Sequence, residues 1–169
     1  MNSIDRRNYI IKMLQESDKP LKGQEFAKKF NITRQVIVKD IAILRAKGEN
    51  IIATPDGYMI NKNNLNSKII AVTHNSNRIE DELKTIVKYG GVIEDVIVEH
   101  VIYGEIKAML MIKTLYDIEN FIMKIHKDKA EPLLVLTNGV HLHTILTERK
   151  EDMENIISEL KTKGYLIEE

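Results

Sequence analysis

The feature that most constrains this chain is a polar stretch without periodicity, from Asn61 to Ser67, which separates two segments with different hydrophobic patterns. Before it, apolar residues recur at the three- and four-residue spacing of amphipathic helices. After it, short apolar runs of strand length alternate with helical stretches. A polar stretch of this kind is typical of a linker. The sequence therefore predicts two domains, residues 1–65 and 66–169, each within the size range of a small folding unit.

The charge of the chain divides at the same place. The whole sequence holds 25 basic and 25 acidic residues. Residues 1–65, however, hold 12 Lys and Arg against 7 Asp and Glu, whereas residues 66–169 hold 13 against 18. A basic segment favours a polyanion such as a nucleic acid as its partner. The acidic segment predicts a different partner.

Composition excludes several classes of protein. With 43% hydrophobic and 30% charged residues the chain can bury a core, which excludes wholesale disorder. The absence of cysteine excludes disulfides, zinc fingers, iron–sulfur clusters and a thiol nucleophile, so any metal must be bound through nitrogen and oxygen. No apolar run approaches the roughly 18 residues of a membrane span, and the N-terminus does not resemble a signal peptide. We therefore expect a cytoplasmic protein without membrane association.

The first 65 residues predict three helices and a hairpin. Capping preferences place helix starts at Ser3 and Thr33, and Asp56-Gly57 favours a tight turn between two strands. Three helices followed by such a hairpin indicate a winged helix-turn-helix. The expected helices and strands are 3–17, 22–30, 33–48, 50–54 and 58–60.

The third helix of this segment carries the first functional signal. Its residues Ile37, Ile41 and Leu44 share one apolar face, which leaves the opposite face free. The segment 30–48 resembles the helix-turn-helix of bacterial repressors of the biotin-repressor and deoxyribose-repressor type, with Val36 where that pattern has threonine.

We interpret the free face as a DNA-reading surface. The helix N-terminus, Arg34 and Lys39 attract phosphate, and Gln35 can pair with an adenine edge in the major groove. A solvated polar face, or a winged helix used only for protein contacts, would explain the same pattern. The residues predicted to contact DNA are Thr33, Arg34, Gln35, Val36 and Lys39.

The second segment predicts an α+β sandwich, in which a mainly antiparallel sheet carries helices on one face. The order of elements is β-α-β-β-α-β-α, with a short final strand near 165–167. Asn77 followed by Glu80 suggests a capping box at the first helix. The expected strands are 68–73, 92–98, 105–112 and 140–146, and the later helices are 115–127 and 150–163.

Histidines mark a candidate metal site in this segment. His141 and His143 are two residues apart on a strand, so their imidazoles project from the same face about 7 Å apart and can share one metal. Spacing alone does not assign a ligand role to His74, at the end of the first strand, or to Glu82, on the next helix. A strand with partly buried, hydrogen-bonded histidines would explain the pair equally well.

The sequences 98–106, 132–140 and 141–145 resemble the three-histidine domain. With the winged helix before it, nearly all of the chain resembles the niacin-responsive transcriptional repressors of NAD metabolism. That resemblance implies His74, Glu82, His141 and His143 as metal ligands, and we predict effector contacts from His100 and Tyr103. The chain departs from the family pattern at Val101, where proline is common, and at 114–117, where Ser-Arg-x-Asp is usual and the arginine is missing.

The resemblance implies a repressor of NAD biosynthesis or niacin uptake genes that binds operator DNA as a homodimer, with nicotinic acid as co-repressor at a divalent-metal site. Three histidines and a carboxylate suit nickel, zinc, iron or manganese, and we expect nickel or zinc.

Two alternatives remain. One is a metalloregulator that senses the ion itself, and the other is a metal-dependent hydrolase with Glu99, Glu105 or His100 as acid or base. We expect a regulator rather than an enzyme.

Overall fold

A computed structural model describes residues 2–60 and 65–167. The chain forms two compact units, Met1–Asn63 and Asn64–Glu169. Within the described ranges, none of the helices combines the length and apolar character needed to cross a membrane.

The first unit is the predicted winged helix-turn-helix. Its core is formed by buried apolar side chains from all three helices and the hairpin, including Ile10, Phe26, Ile37 and Ile51. The strands pair antiparallel around the Asp-Gly turn. Its elements are α1 (Ser3–Glu16), α2 (Gly23–Phe30), α3 (Arg34–Ala46), β1 (Ile51–Thr54) and β2 (Gly57–Ile60).

The helix starts differ in part from the sequence prediction. Ser3 is not the cap of α1 but its first helical residue. The cap is Asn2, whose side-chain oxygen accepts hydrogen bonds from the backbone N–H groups of Ile4 and Asp5 at 3.0 and 2.9 Å. A capping side chain must precede the helix to reach these groups, which explains the one-residue shift. Thr33 does occupy the cap position of α3, but its side chain makes no capping hydrogen bond.

The second unit confirms the predicted α+β class and the element order. Its four strands form an antiparallel sheet in the order β3-β6-β4-β5. One core cluster contains residues from all four strands and all three helices, so the helices share one face of the sheet. The elements are β3 (Asn66–Thr73), α4 (Ile79–Lys88), β4 (Val92–His100), β5 (Gly104–Ile112), α5 (Leu115–Asp128), β6 (Val140–Thr147) and α6 (Lys150–Thr162), with 3-10 turns at Ser76–Arg78 and Leu133–Thr137.

Two local predictions in this unit are wrong. Asn77 lies inside the 3-10 turn that precedes α4, and α4 has no side-chain cap, so the expected capping box is absent there. The capping box belongs to α5, where Thr114 and Asp117 bond each other's backbone N–H groups at 3.1 and 2.9 Å. The final strand is reduced to a single bridge between Leu166 and Val72.

Candidate metal centre and DNA-binding face

Four sequence-predicted residues come together beneath α4. His74 follows β3, Glu82 lies in the first turn of α4, and His141 and His143 lie on β6, which pairs with β3. Their side chains are at most 4% exposed. A carboxylate and three imidazoles therefore share one buried space on the helix-covered side of the sheet.

All three imidazoles approach the Glu82 carboxylate through Nε2. His74 lies closest, at 2.6 Å from Oε2, and His141 is 3.4 Å from the same oxygen. His143 is 3.4 Å from Oε1. The candidate ligand atoms of His74, Glu82 and His141 lie within 4.8 Å of one another, a grouping that could hold a metal ion. His143, the fourth predicted ligand, is not part of that grouping.

The other ring nitrogen of each histidine is bound to a backbone carbonyl. Since a carbonyl oxygen can only accept, each Nδ1 donates a proton to it, and Nε2 is the nitrogen left to bind Glu82 through a proton or to bind a metal ion when the ring is neutral. A metal-ligating histidine normally has such a second contact, which fixes its tautomer and orientation. The carbonyls are those of Asn75 for His74 (2.8 Å), Gly139 for His141 (2.9 Å) and Asp95 for His143 (2.5 Å).

The electrostatics of the cluster favour a cation. Burial alone would raise the pKa of Glu82, but the charge of His143 and the hydrogen bonds of the histidines lower this pKa well below its usual range. Burial lowers the pKa of His74 and of His143, yet Glu82 outweighs it and both pKa values are raised. Oε1 of Glu82 is buried, and among the described residues it has no hydrogen-bond partner. The buried carboxylate of Glu82 is therefore ionised and favours positive charge beside it, either as a proton on an imidazole or as a bound cation.

Asp95 is a supporting residue that the sequence analysis missed. It is fully buried on β4, where the pairing with β6 shifts register between Ile93 and Ile97. Its backbone carbonyl orients His143, and its carboxylate accepts the backbone N–H of Thr144 at 2.8 Å. The available signal was the period of two along the strand, which places Asp95 on the same face as Ile93 and Ile97 and so indicates a buried polar group with a specific partner.

Gly139 links two of the candidate ligands, His74 and His141. Its carbonyl accepts the backbone N–H of His74 at 3.3 Å and also the Nδ1–H of His141. Its φ is +97°, and a Cβ atom there would lie 2.4 Å from the carbonyl oxygen of His74. Only glycine allows the two chain segments to approach so closely in this conformation.

A cleft of about 630 Å³ opens beside His141. Its other lining residues include Glu99 and Gly104 of the β4–β5 hairpin and Thr137. The predicted effector residues do not line this cleft. They lie at the tip of the hairpin, where Nδ1 of His100 accepts the backbone N–H of Ile102 at 3.1 Å and Tyr103 is 75% exposed. Their effector role stays a prediction.

The predicted DNA face lies on α3. The structure leaves Thr33, Arg34, Gln35 and Lys39 exposed at the start of the helix. Val36 is half-buried. At about 100° per residue it lies about 160° around the helix from Val38, which is in the middle of the exposed face. Four of the five residues therefore share an accessible surface, and Val36 does not.

A buried ion pair fixes the rotation of α3 about its axis. Asp40, on the buried side of α3, accepts hydrogen bonds from Arg6 and Arg7 of α1 at 2.6 and 3.2 Å. The carboxylate is 3% exposed and the two arginines are 13% and 14% exposed. Since a charge buried without its partner is costly, this contact holds the exposed face of α3 in one orientation.

Comparisons with known proteins match both units. An HTH domain family matches residues 6–59, and the 3H domain family matches residues 67–169. The chain is 44% identical over 167 residues to "Probable transcription repressor NiaR" of Thermotoga maritima, covering 98% of this chain and 95% of that protein. It is 39% identical over 170 residues to "Transcription repressor NadR" of Bacillus subtilis, covering 98% and 94%.

Proposed function

The chain belongs to the niacin-responsive transcription repressors that join an HTH domain to a 3H domain, and from this premise we propose which genes, effector and metal it uses. It represses genes of NAD biosynthesis or niacin uptake. It binds operator DNA through α3 and takes nicotinic acid as co-repressor at a metal site in the second unit. The exposed basic start of α3 supports the first part, and the histidine cluster supports the second.

The metal assignment rests on one observation: three imidazoles, each protonated at Nδ1, direct Nε2 at one buried carboxylate. Nε2 and a carboxylate oxygen are a donor set for a transition metal, and a bound cation would replace the protons by which Nε2 otherwise contacts the carboxylate. His74, Glu82, His141 and His143 would hold a divalent transition metal, with nickel or zinc suited to imidazole-rich sites. Such an ion would act as a Lewis acid that binds the ring nitrogen or the carboxylate of the effector.

The cleft beside His141 is large enough to hold a small-molecule effector such as nicotinic acid. Its volume of about 630 Å³ is within the range of small-molecule sites. His100 and Tyr103 flank the hairpin residues Glu99 and Gly104 that line the cleft, and they remain our proposed effector contacts.

We further propose a cytoplasmic homodimer. Helix-turn-helix repressors read two half-sites as symmetric dimers. The tip of the β4–β5 hairpin exposes three large apolar residues in succession, Val101, Ile102 and Tyr103, and a contiguous apolar patch favours an interface. We expect Ile102→Asp to shift the chain from dimer to monomer in sedimentation equilibrium, with the surface variant Met123→Asp as control. An unchanged dimer would remove the hairpin tip from the interface.

The decisive experiment titrates metal-loaded protein with nicotinate, nicotinamide and NAD by calorimetry and then measures DNA binding with each. Nicotinate should raise DNA affinity, and linkage requires operator DNA to raise nicotinate affinity by the same factor. A coupling of roughly 1 to 3 kcal/mol would make a useful switch. DNA binding that responds to metal alone would favour a metalloregulator, and nicotinate that binds without altering DNA affinity would reject the co-repressor assignment.

A further inference from the structure

The exposed face of α3 has an apolar centre. Val38 is 43% exposed and Ala42, one turn later, is exposed as well. At about 100° per residue these two side chains lie about 40° apart, in the middle of the exposed arc. The remaining exposed positions of the helix surround them: Arg34, Gln35, Lys39, Arg45 and Ala46.

This centre differs from what phosphate binding alone requires. A face that only contacts the DNA backbone needs cations and donors, and Arg34, Lys39 and Arg45 supply them at its borders. Val38 adds no charge and no hydrogen bond, and a β-branched residue at an exposed helix position is less favourable than alanine. In the described part of the first unit, the other exposed large hydrophobic side chains are Ile4 and Tyr9, both on α1.

The residues around Val38 fix the position of its side chain on the protein surface. Its neighbours Ile37 and Ile41 are 0% and 3% exposed, so α3 is anchored in the core directly behind the exposed face. The Asp40 contacts with Arg6 and Arg7 hold the helix against α1. Val38 is therefore presented at a fixed position on a rigid element.

The apolar group that the major groove offers is the 5-methyl of thymine, since the other base edges there present hydrogen-bond donors and acceptors. We propose that Val38, supported by Ala42, is a specificity-determining residue that packs against a thymine methyl in the operator. This inference rests on the proposed binding of operator DNA through α3. It assigns to Val38 a discrimination that Gln35 and the basic residues do not supply.

The test is a methyl-deletion cycle on the full chain. A duplex is first selected from a random DNA library by the metal-loaded wild-type chain in the presence of nicotinate. Each thymine is then replaced in turn by deoxyuridine, which removes the methyl and retains the base pairing. Affinities are measured for wild type and for Val38→Ala. Loss of one buried methyl corresponds to about a three- to fivefold loss of affinity.

We expect one or two thymines at which deoxyuridine weakens wild type by this factor. At those positions Val38→Ala should bind the thymine duplex as weakly as wild type binds the deoxyuridine duplex. Replacing that thymine by deoxyuridine should not lower the affinity of Val38→Ala any further. The control Val135→Ala, at an exposed valine of the 3-10 turn Leu133–Thr137, should keep the wild-type pattern. The slope of affinity against salt should not change for Val38→Ala, because no charge is removed.

The outcomes separate the two levels of the argument. If removal of each thymine methyl lowers the affinity of wild type and of Val38→Ala by the same factor, the proposed role of Val38 is wrong and DNA binding through the first unit still stands. Failure to select any duplex overturns the DNA-binding function itself, and with it this role, in favour of a protein-binding winged helix. Thermal unfolding of Val38→Ala, expected to match wild type, excludes a folding defect as the cause.

Discussion

Gly139→Ala should damage the proposed metal site, although Gly139 is not one of its proposed ligands. The new Cβ would lie 2.4 Å from the carbonyl oxygen of His74, where real contacts keep at least 3.0 Å, so the His74 backbone must move by about 0.6 Å. Metal–ligand distances tolerate deviations of only about 0.2 Å. Because the Gly139 carbonyl also orients His141, two ligands are displaced together. We expect metal affinity to fall about 10- to 100-fold, as for loss of an outer-shell partner.

The chain offers a matched control at Gly164. Its φ of +75° imposes a similar backbone penalty on alanine, but a Cβ there meets nothing within 4 Å. Gly164→Ala should therefore cost about 1 to 2 kcal/mol of stability and leave metal binding unchanged. Calorimetric titration with Ni²⁺ and Zn²⁺, together with thermal unfolding, measures both effects. Equal metal affinity in the two variants would refute the argument that close approach of Gly139 positions His74.

Three further expectations follow from the two sites. Gln35→Ala should cost about 1 to 3 kcal/mol of operator binding and relax preference at one base pair. Lys39→Ala should instead weaken binding to all sequences and flatten the salt dependence. A gel-shift assay measures both effects, and equal affinity of wild type and the two variants would remove α3 from the interface. His141→Ala or His143→Ala should release the metal in elemental analysis, whereas the exposed His126→Ala should retain it. Full occupancy in the double variant would contradict the site.

Periodicity, with capping and turn signals, predicts the main helices and strands and one half of the histidine cluster. The apolar spacing of α3 predicts which face packs, and the structure buries Ile37, Ile41 and Leu44 accordingly. The period of two along β6 places His141 and His143 on one face, because successive strand residues point to opposite sides. These predictions succeed because they depend on neighbours within a few residues.

The other half of the cluster depends on backbone geometry that spacing does not encode. His74 and Glu82 meet because residues 76–78 form a 3-10 turn that leads the chain from β3 into α4. The same turn invalidates the capping box expected at Asn77. Only the family resemblance linked His74 and Glu82 to the site, and the hydrogen bonds of the structure give the physical reason for that link.

The three histidines differ in how their orientation is maintained. The carbonyls that bind His74 and His141 lie one and two residues away in sequence, so local turns supply them. The carbonyl that binds His143 belongs to Asp95, 48 residues earlier, and is supplied only when β4 pairs with β6. Asp95 is also two residues from Ile97, which lines the cleft beside His141. A ligand that shifts β4 at the cleft would therefore move the acceptor that orients His143, so the proposed effector cleft and the histidine cluster share a physical element.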